Sequence, residues 1–228
     1  MRTVTATRLS SSGLHTLIVT PESSHDGAPV LLFLHGMQEG GASANELPKV
    51  CIHQTPPWHA MAGRIPEAFV IAPQSPAVPD EQTWSWRDHV AHVSAWIRGN
   101  FRGRRVLATG FSRGGLGVLQ LLAVDPELVE RWAVIDPQPP SGSQERAAVL
   151  AAAARKSGWV RYGVYRSRSA GWKQFANALD AIVPDQSRDT ATHDHGEMAL
   201  RAYAGDHLST AGKPALYDFL GLRFATPE

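Results

Sequence analysis

The stretch that decides the fold is residues 107–117, LATGFSRGGLG. Its apolar start predicts a buried strand that stops at Gly110, and the Leu and Val positions after Ser112 have helical spacing. The five residues GFSRG match the pattern Gly-x-Ser-x-Gly, which is a weak signal by itself. In this context it favours a sharp turn between strand and helix that holds the serine hydroxyl above the sheet. A serine that only caps a helix would not need glycine at 110, 114 and 115 together, so Ser112 is the candidate nucleophile.

Strand and helix patterns alternate on both sides of this stretch. The β-rich segments 3–9 and 15–20 predict an N-terminal hairpin within residues 1–20. Apolar runs predict strands that are covered on both faces, and longer periodic segments predict helices between them. The predicted strands are 29–35, 68–73, 105–110, 131–136, 159–165 and 198–205, and the predicted helices are roughly 86–99, 112–124, 143–157, 170–181 and 211–221. This order predicts one α/β domain over residues 1–228, with a mainly parallel sheet and helices on both faces.

Composition limits the classes of function. The chain has 228 residues, with 22 basic and 21 acidic residues and a formal net charge of +1. We therefore expect neither a nucleic acid nor an anionic membrane as a partner. Cys51 is the only cysteine, which excludes an internal disulfide framework, and no segment approaches the roughly 18 apolar residues of a membrane span. These features predict a soluble, cytoplasmic protein, whereas its oligomeric state cannot be predicted because no heptad pattern stands out.

Two long segments, 36–67 and 73–86, are rich in Gly, Pro and Trp. Loops of this length in a compact domain usually carry function, so we expect both to border a site. Trp84 and Trp86, with Trp58 from the other loop, either line a substrate pocket or belong to a satellite of the core.

A nucleophilic serine needs a general base, because its hydroxyl is protonated at neutral pH. In this architecture the base follows the last strand, and His207 has such a position between the predicted strand 198–205 and the predicted helix 211–221. His193 and His195 precede that strand and should lie at its other end. Two histidines two residues apart without a clear third ligand do not predict a metal site. We therefore expect His207 as the base and no metal.

The tetrahedral intermediate also needs hydrogen-bond donors for its oxyanion. The backbone N–H of Arg113, directly after the candidate nucleophile, is one expected donor. The other should come from the loop after the strand 29–35, where the sequence LHGMQEGG begins. Gly36 allows a sharp turn there, which would direct the backbone N–H of Met37 into the site. No phosphate-binding glycine pattern occurs in this loop.

Several stretches, taken in order, carry a family resemblance: LLFLHGMQEGG, FVIAPQSP followed by TWSW, ATGFSRGGLGVLQLL and GDHLSTAGKPALYDFLG. From about residue 28 onward the sequence resembles the α/β-hydrolase superfamily, and within it the small carboxylesterases, phospholipase-type esterases and dienelactone-hydrolase-like proteins without a cap domain. Residues 136–158 have room for one helix only, so we expect no cap domain here. The resemblance implies an eight-stranded type of sheet, a Ser/His/acid triad and hydrolysis of an ester or thioester without a cofactor.

The acid of that triad is missing from its usual place. In such families it commonly follows the strand that here reads WVRYGVY, but residues 162–168 contain no carboxylate. Asp136, at the end of the preceding strand, is one candidate because it keeps the chain order Ser, Asp, His. An acid from the 180–194 segment, such as Asp180 or Asp185, is a second. A Ser-His dyad, or a chemistry that has drifted from hydrolysis, is a third.

Arg166 and Arg168 follow that same strand, where the acid would normally lie. Either could pair with Asp136 or bind a substrate carboxylate through two hydrogen bonds, and both could equally belong to a solvated basic surface. The sequence as a whole predicts a serine hydrolase for an ester, thioester or lactone of a small molecule. A lyase, cyclase or acyltransferase of a biosynthetic pathway stays open, as does a non-catalytic binding protein, because fold resemblance does not separate them.

Overall fold

The computed structural model describes residues 2–9, 13–22, 26–76, 85–161, 170–182 and 214–225. Within these ranges the strands are β1 Val4–Arg8, β2 His15–Val19, β3 Val30–Leu34, β4 Phe69–Gln74, β5 Val106–Phe111, β6 Arg131–Ile135 and β7 Ser157–Arg161. They form one sheet in the order β1-β2-β4-β3-β5-β6-β7. β2 pairs antiparallel with β1 and with β4, whereas the pairs from β4 through to β7 are parallel. The predicted N-terminal hairpin and the mainly parallel sheet are confirmed.

Six α-helices connect or follow these strands in the described ranges: α1 Pro56–Met61, α2 Arg87–Asn100, α3 Arg113–Val124, α4 Ser143–Ala153, α5 Ala170–Ile182 and α6 Pro214–Leu220. α2 shows why an amphipathic pattern becomes a helix here, because its buried Val90, Val93 and Ile97 recur along one stripe. None of the helices in this part of the chain is long and apolar enough to cross a membrane.

The central strand β3 is buried on both faces, as its continuous apolar run predicts. Val30, Leu32 and Leu34 pack in the cluster that contains side chains of α2 to α5. Leu31 and Phe33 pack in the opposite cluster, to which α1 and α6 contribute. Because successive side chains of a strand point to opposite faces, one apolar run supplies both halves of the core. The helices therefore cover the sheet on both sides.

The segment 36–67 is not the loop that its composition predicts. It contains a 3-10 segment, Ala44–Gln54, with non-helical backbone at Ile52 and His53, and then α1. α1 begins with two prolines, which the first turn of a helix tolerates because its N–H groups have no partner within the helix. The prolines that suggested a loop thus start a helix.

Two other boundaries differ from the prediction, and one predicted strand cannot be compared. α4 ends at Ala153 and β7 begins at Ser157, whereas the sequence predicts a helix to 157 and a strand from 159. The predicted strand 198–205 lies outside the described residues.

His59 is a buried titratable group on the α1 side of the sheet. Its side chain is fully buried, and its ring packs edge-on against Trp58, Tyr217 and Phe224. Burial, with a smaller contribution from the nearby Arg64 cation, lowers the pKa of His59 from 6.5 to about 4. The ring is therefore neutral at physiological pH.

Candidate active site

Ser112 lies in the turn between β5 and α3. Its backbone angles, φ 54° and ψ −121°, are rare for a residue with a side chain. Two hydrogen bonds fix the turn against the end of β6: the Ser112 N–H donates to the Ile135 carbonyl, and the Gln138 N–H donates to the Ser112 carbonyl, both at 2.9 Å. Such strain costs about 1–3 kcal/mol and persists only where the surroundings impose it, commonly at functional sites. The sharp strand-to-helix turn is confirmed.

Gly110 and Gly114 allow β3, β5 and α3 to approach one another closely. A Cβ at Gly114 would lie 1.8 Å from the carbonyl oxygen of Leu34, and a Cβ at Gly110 would lie 2.5 Å from the carbonyl oxygen of Gly114. No side chain fits at either distance, because the atoms met are backbone. The two glycines thus bring the first turn of α3 directly against the end of β3.

We expect Gly114→Ala to destabilise the fold strongly. The new methyl group would meet the Leu34 backbone, so α3 must move away from β3 at a cost of about 4 kcal/mol or more in the free energy of unfolding. Gly99→Ala in α2 is the matched control, since a Cβ there meets nothing within 4 Å. It should leave stability unchanged or raise it by up to about 1 kcal/mol. Urea unfolding of both variants checks this, and equal stabilities would contradict the packing argument.

His35 holds the carboxyl ends of β3 and β4 together. It is fully buried, and its Nε2 accepts the Ser75 backbone N–H at 3.0 Å. The proton is therefore on Nδ1, which donates to the Gly36 carbonyl. The indole N–H of Trp86 donates to the His35 carbonyl at 3.1 Å. Burial lowers the pKa of His35 to about 4, so this ring is a neutral structural group rather than a general base.

Residues 36–41 form the β3 loop, which follows β3 and contains the buried acid Glu39. Glu39 is 1% exposed, and its Oε2 has no hydrogen-bond partner in the described part of the chain. Burial raises the pKa of Glu39 from 4.5 to about 7, although the backbone amides of Glu39 and Gly36 oppose the shift. The Gln74 side chain fixes the loop by donating to the Glu39 carbonyl at 2.9 Å.

These buried groups predict a protein that loses stability in acid. The folded-state pKa values of His35 and His59 lie below their ordinary 6.5, so their stabilisation is complete above pH 6.5 and is lost as the pH falls toward about 4. Each ring contributes about 3 kcal/mol to that loss. The raised pKa of Glu39 acts oppositely: its stabilisation is present below pH 4.5 and is lost as the pH rises to about 7, again by about 3 kcal/mol.

The net expectation is a fall of about 3 kcal/mol in the free energy of unfolding between neutral pH and about pH 4. Urea titrations at a series of pH values measure it directly. Glu39→Gln removes the opposing group, so the fall should grow to about 6 kcal/mol in that variant. A free energy of unfolding that rises toward pH 4 would contradict the pKa directions of the two histidines.

A crevice of about 190 Å³ lies at the carboxyl edge of the sheet, beside the Ser112 turn. It is bordered by the starts of α2 and α3 and by the connection from β6 to α4. The Arg87–Glu145 ion pair crosses this region, and the Gln120 amide donates to Glu145 at 2.7 Å. Most of its lining side chains are polar: Ser85, Trp86, Arg87, Asp88, Arg113, Leu116, Gln120, Gln138, Pro139, Ser141 and Glu145.

Comparisons with known proteins identify the fold. No family model and no curated protein matches the sequence. A thermostable esterase matches with a TM-score of 0.61 at 17% identity, over 97% of this chain and 63% of that one. S-formylglutathione hydrolase from Staphylococcus aureus matches with a TM-score of 0.55 at 14% identity, over 91% and 96% of the two chains. E-2-(acetamidomethylene)succinate hydrolase matches with a TM-score of 0.52 at 14% identity, over 90% and 98%.

The chain has the α/β-hydrolase fold. The strand order, the strained serine between β5 and α3 and these structural matches all agree with the resemblance found in the sequence. The chain spans 63% of the length of the thermostable esterase, so it corresponds to part of that protein.

Within this α/β-hydrolase fold, the structure brings several of the predicted site residues to one edge of the sheet. Ser112 and Arg113 begin α3, and Asp136 directly follows β6, the neighbour of β5. Asp136 is 1% exposed and has φ 43°, a conformation that Asp adopts more readily than most residues. Met37 lies in the β3 loop and is 36% exposed. The catalytic roles of these residues stay predictions.

Other predicted site residues lie outside the described residues: the base His207, the candidate pocket residues Trp84 and Arg166, the alternative acid Asp185, and the histidines His193 and His195. Asp180 lies in α5, but its side chain is not among those that the structure describes. In the ranges that are described, no group of three His, Cys, Asp or Glu side chains could hold a metal ion.

The predicted aromatic pocket residues that are described have different surroundings. Trp86 is 1% exposed, packs in the core against Gly117 and only borders the crevice. Trp58 contacts His59 and carries the Arg64 guanidinium 5.1 Å from its ring centre. A substrate contact by Trp86 stays a prediction. The packing of Trp86 against Gly117 is a structural reason for its position.

The sequence analysis missed the polar groups that support the site. His35, Gln74 and Glu39 are nearly fully buried at the carboxyl ends of β3 and β4. The one available signal was a polar residue directly after a continuous apolar strand, as in LLFLH and VIAPQ. Such positions lie at the edge of a parallel sheet where α/β folds build their sites.

Proposed function

We propose that this chain is a serine hydrolase that cleaves an ester, thioester or lactone of a small molecule through an acyl-enzyme on Ser112. The observation that carries the proposal is the strained turn at Ser112, at the carboxyl edge of the sheet and beside the crevice. A cap role would explain the serine only if its side chain bonded the first turn of α3, and it makes no such hydrogen bond.

In the proposed acylation, the Ser112 Oγ attacks the substrate carbonyl carbon while His207 takes its proton. The tetrahedral intermediate then collapses: the bond from the acyl carbon to the leaving oxygen or sulfur breaks, and His207 donates the proton to the leaving group. Asp136 orients the His207 imidazole and stabilises its cation. Its buried position directly after β6, next to the strand that leads into Ser112, supports this assignment.

Two backbone N–H groups, those of Arg113 and Met37, are the proposed donors to the oxyanion. Arg113 is the first residue of α3, and the N-terminus of a helix favours negative charge because of its dipole. Met37 follows Gly36, whose conformation is fixed by the His35 contact to its carbonyl. In deacylation, water that is deprotonated by His207 attacks the acyl carbon; the bond from that carbon to the Ser112 Oγ then breaks, and His207 returns the proton to Oγ as the acid is released.

The crevice supports a small and hydrophilic substrate. Its polar lining would leave hydrogen-bonding groups unpaired against a long alkyl chain, which disfavours such a substrate. We therefore propose that the group bound beside Arg113 carries hydroxyl, amide or carboxylate functions.

A panel of p-nitrophenyl acetate, short acyl thioesters and lactones, assayed in water enriched in oxygen-18, tests the proposed function. Hydrolysis predicts turnover of at least one compound, with one heavy oxygen in the released acid. A lyase or cyclase would release product without that oxygen. Folded protein that turns over none of the compounds would count against the proposal and favour a binding role.

A further inference from the structure

Glu39 is the buried titratable group for which the proposed mechanism has no use. Glutamate is rarely buried without a partner, yet this side chain is 1% exposed and its Oε2 has no hydrogen-bond partner among the described residues. Its Oε1 lies 4.0 Å from the His53 Nε2, which is beyond hydrogen-bond distance. Leaving a buried oxygen unpaired is costly, so the position of this carboxyl calls for a physical reason.

The carboxyl packs directly against the turn that should present the Met37 N–H. A Cβ at Gly36 would lie 3.2 Å from Glu39 Oε2 and 2.7 Å from the Phe111 ring. Phe111 is the residue before Ser112. Gly36 therefore lies close to both the Glu39 carboxyl and the Phe111 ring, and Phe111 leads into the Ser112 turn.

The backbone of the β3 loop is fixed on both sides of this carboxyl. The Gln74 amide donates to the Glu39 carbonyl at 2.9 Å, and the Gly41 N–H donates to the Ser75 carbonyl at 2.9 Å. These two hydrogen bonds hold the backbone at Glu39 and at Gly41 in place.

We infer that Glu39 is a positioning residue for the β3 loop. Its neutral carboxyl allows catalysis, and its ionised carboxylate lowers the catalytic rate. This inference rests on the proposed function. The neutral carboxyl fits the dry space against Gly36 and leaves the Met37 N–H aimed at the oxyanion. Ionisation places a negative charge beside the point where the oxyanion develops and strengthens the pull of the carboxylate on the Gly36 amide, so the transition state is less well stabilised.

Titratable groups near Glu39 lie at the end of β3 and on the 3-10 segment. His35, at the end of β3, is neutral because burial lowers its pKa to about 4. Glu46, on the 3-10 segment, bonds Lys49 at 2.7 Å, and its pKa is lowered to about 2 by that contact. His53, on the same segment, lies 4.0 Å from the Glu39 Oε1. Since burial raises the pKa of Glu39 to about 7, its ionisation falls in the range where the enzyme would work.

The test is the pH dependence of kcat for p-nitrophenyl acetate, in the wild type, in Glu39→Gln and in His53→Gln. The wild type should give a bell-shaped profile, with kcat falling about tenfold between about pH 6.5 and about pH 8.5. The glutamine in Glu39→Gln has the shape of the neutral acid but cannot ionise. The pH profile of kcat in this variant should therefore keep the rise that comes from the general base and lose the fall at higher pH. His53→Gln keeps the carboxyl and should keep the bell.

Two outcomes would overturn the inference. One is a wild-type kcat that stays level or rises up to about pH 9. This outcome is read from the wild type alone, so it does not depend on whether a variant folds. The other is the same falling limb in Glu39→Gln as in the wild type. Failure of the proposed function is separate, because it would show as a lack of turnover and of Ser112 acylation in the wild type at every pH.

Discussion

Ser112→Ala should lower kcat by about 10⁴–10⁶-fold, the largest effect that we expect of any substitution. The reason is chemical, since without the Oγ no acyl-enzyme forms and only the oxyanion donors and binding remain. The fold should persist, because alanine occupies the same volume and the two backbone hydrogen bonds of the turn are unchanged. Initial rates and circular dichroism measure the two effects, and a variant that keeps more than about a tenth of wild-type kcat would contradict the assignment.

Ser112→Gly separates the strain of the turn from its chemistry. Glycine adopts φ 54° without strain, so this variant should be inactive like Ser112→Ala but more stable than the wild type by about 1 kcal/mol. A gain in stability together with a loss of activity would show that the turn that holds the nucleophile stores strain.

Asp136→Asn should lower kcat by about 10³–10⁴-fold if Asp136 is the acid of the triad. Asparagine removes the charge that favours the imidazolium and does not hold the ring in the required tautomer. It is also a fair structural replacement, since asparagine tolerates the positive φ of 43° at this position. The loss should therefore appear in kcat with little change in stability.

Asp180→Asn and Asp185→Asn are the matched controls for this second prediction. Each removes one carboxylate from the segment that the sequence offers as an alternative source of the acid. Both should keep kcat within about threefold of the wild type. Unchanged turnover in Asp136→Asn would remove Asp136 from the triad, and a large loss in one of the controls would assign the acid there instead.

The Ser112 turn was predictable because its cause is local in the sequence. Gly110, Ser112 and Gly114 follow one another within five residues, and a Cβ at Gly110 would meet the backbone of Gly114, only four residues later. The apolar run of β3 was predictable for a similar reason, since a strand buried on both faces has no polar alternation.

The surroundings of the site depend on contacts between distant parts of the chain, and the sequence does not show them. Glu39 appears as one more polar residue in a glycine-rich loop until Gly36 and Gln74 are placed around it. Trp86 was expected to be either pocket or core, and the hydrogen bond to His35 that holds it in the core spans 51 residues. The 3-10 segment was missed because Pro48 and short apolar spacing hide its period.

The acid of the triad could not be fixed from the sequence for a physical reason. A carboxylate needs only to reach the imidazole in space, so any element that ends at the carboxyl edge of the sheet can supply it. The structure places Asp136 at that edge, buried beside the Ser112 turn. Whether it acts on His207 is what the asparagine variants decide.

The most direct measurement of the central claim is covalent labelling of folded protein with a fluorophosphonate, followed by peptide mass spectrometry. We predict a single phosphonylated site at Ser112, no labelling in Ser112→Ala, and slower labelling in Asp136→Asn. Folded wild-type protein that is not labelled, or that is labelled at another serine instead, would contradict the proposal that Ser112 is the nucleophile.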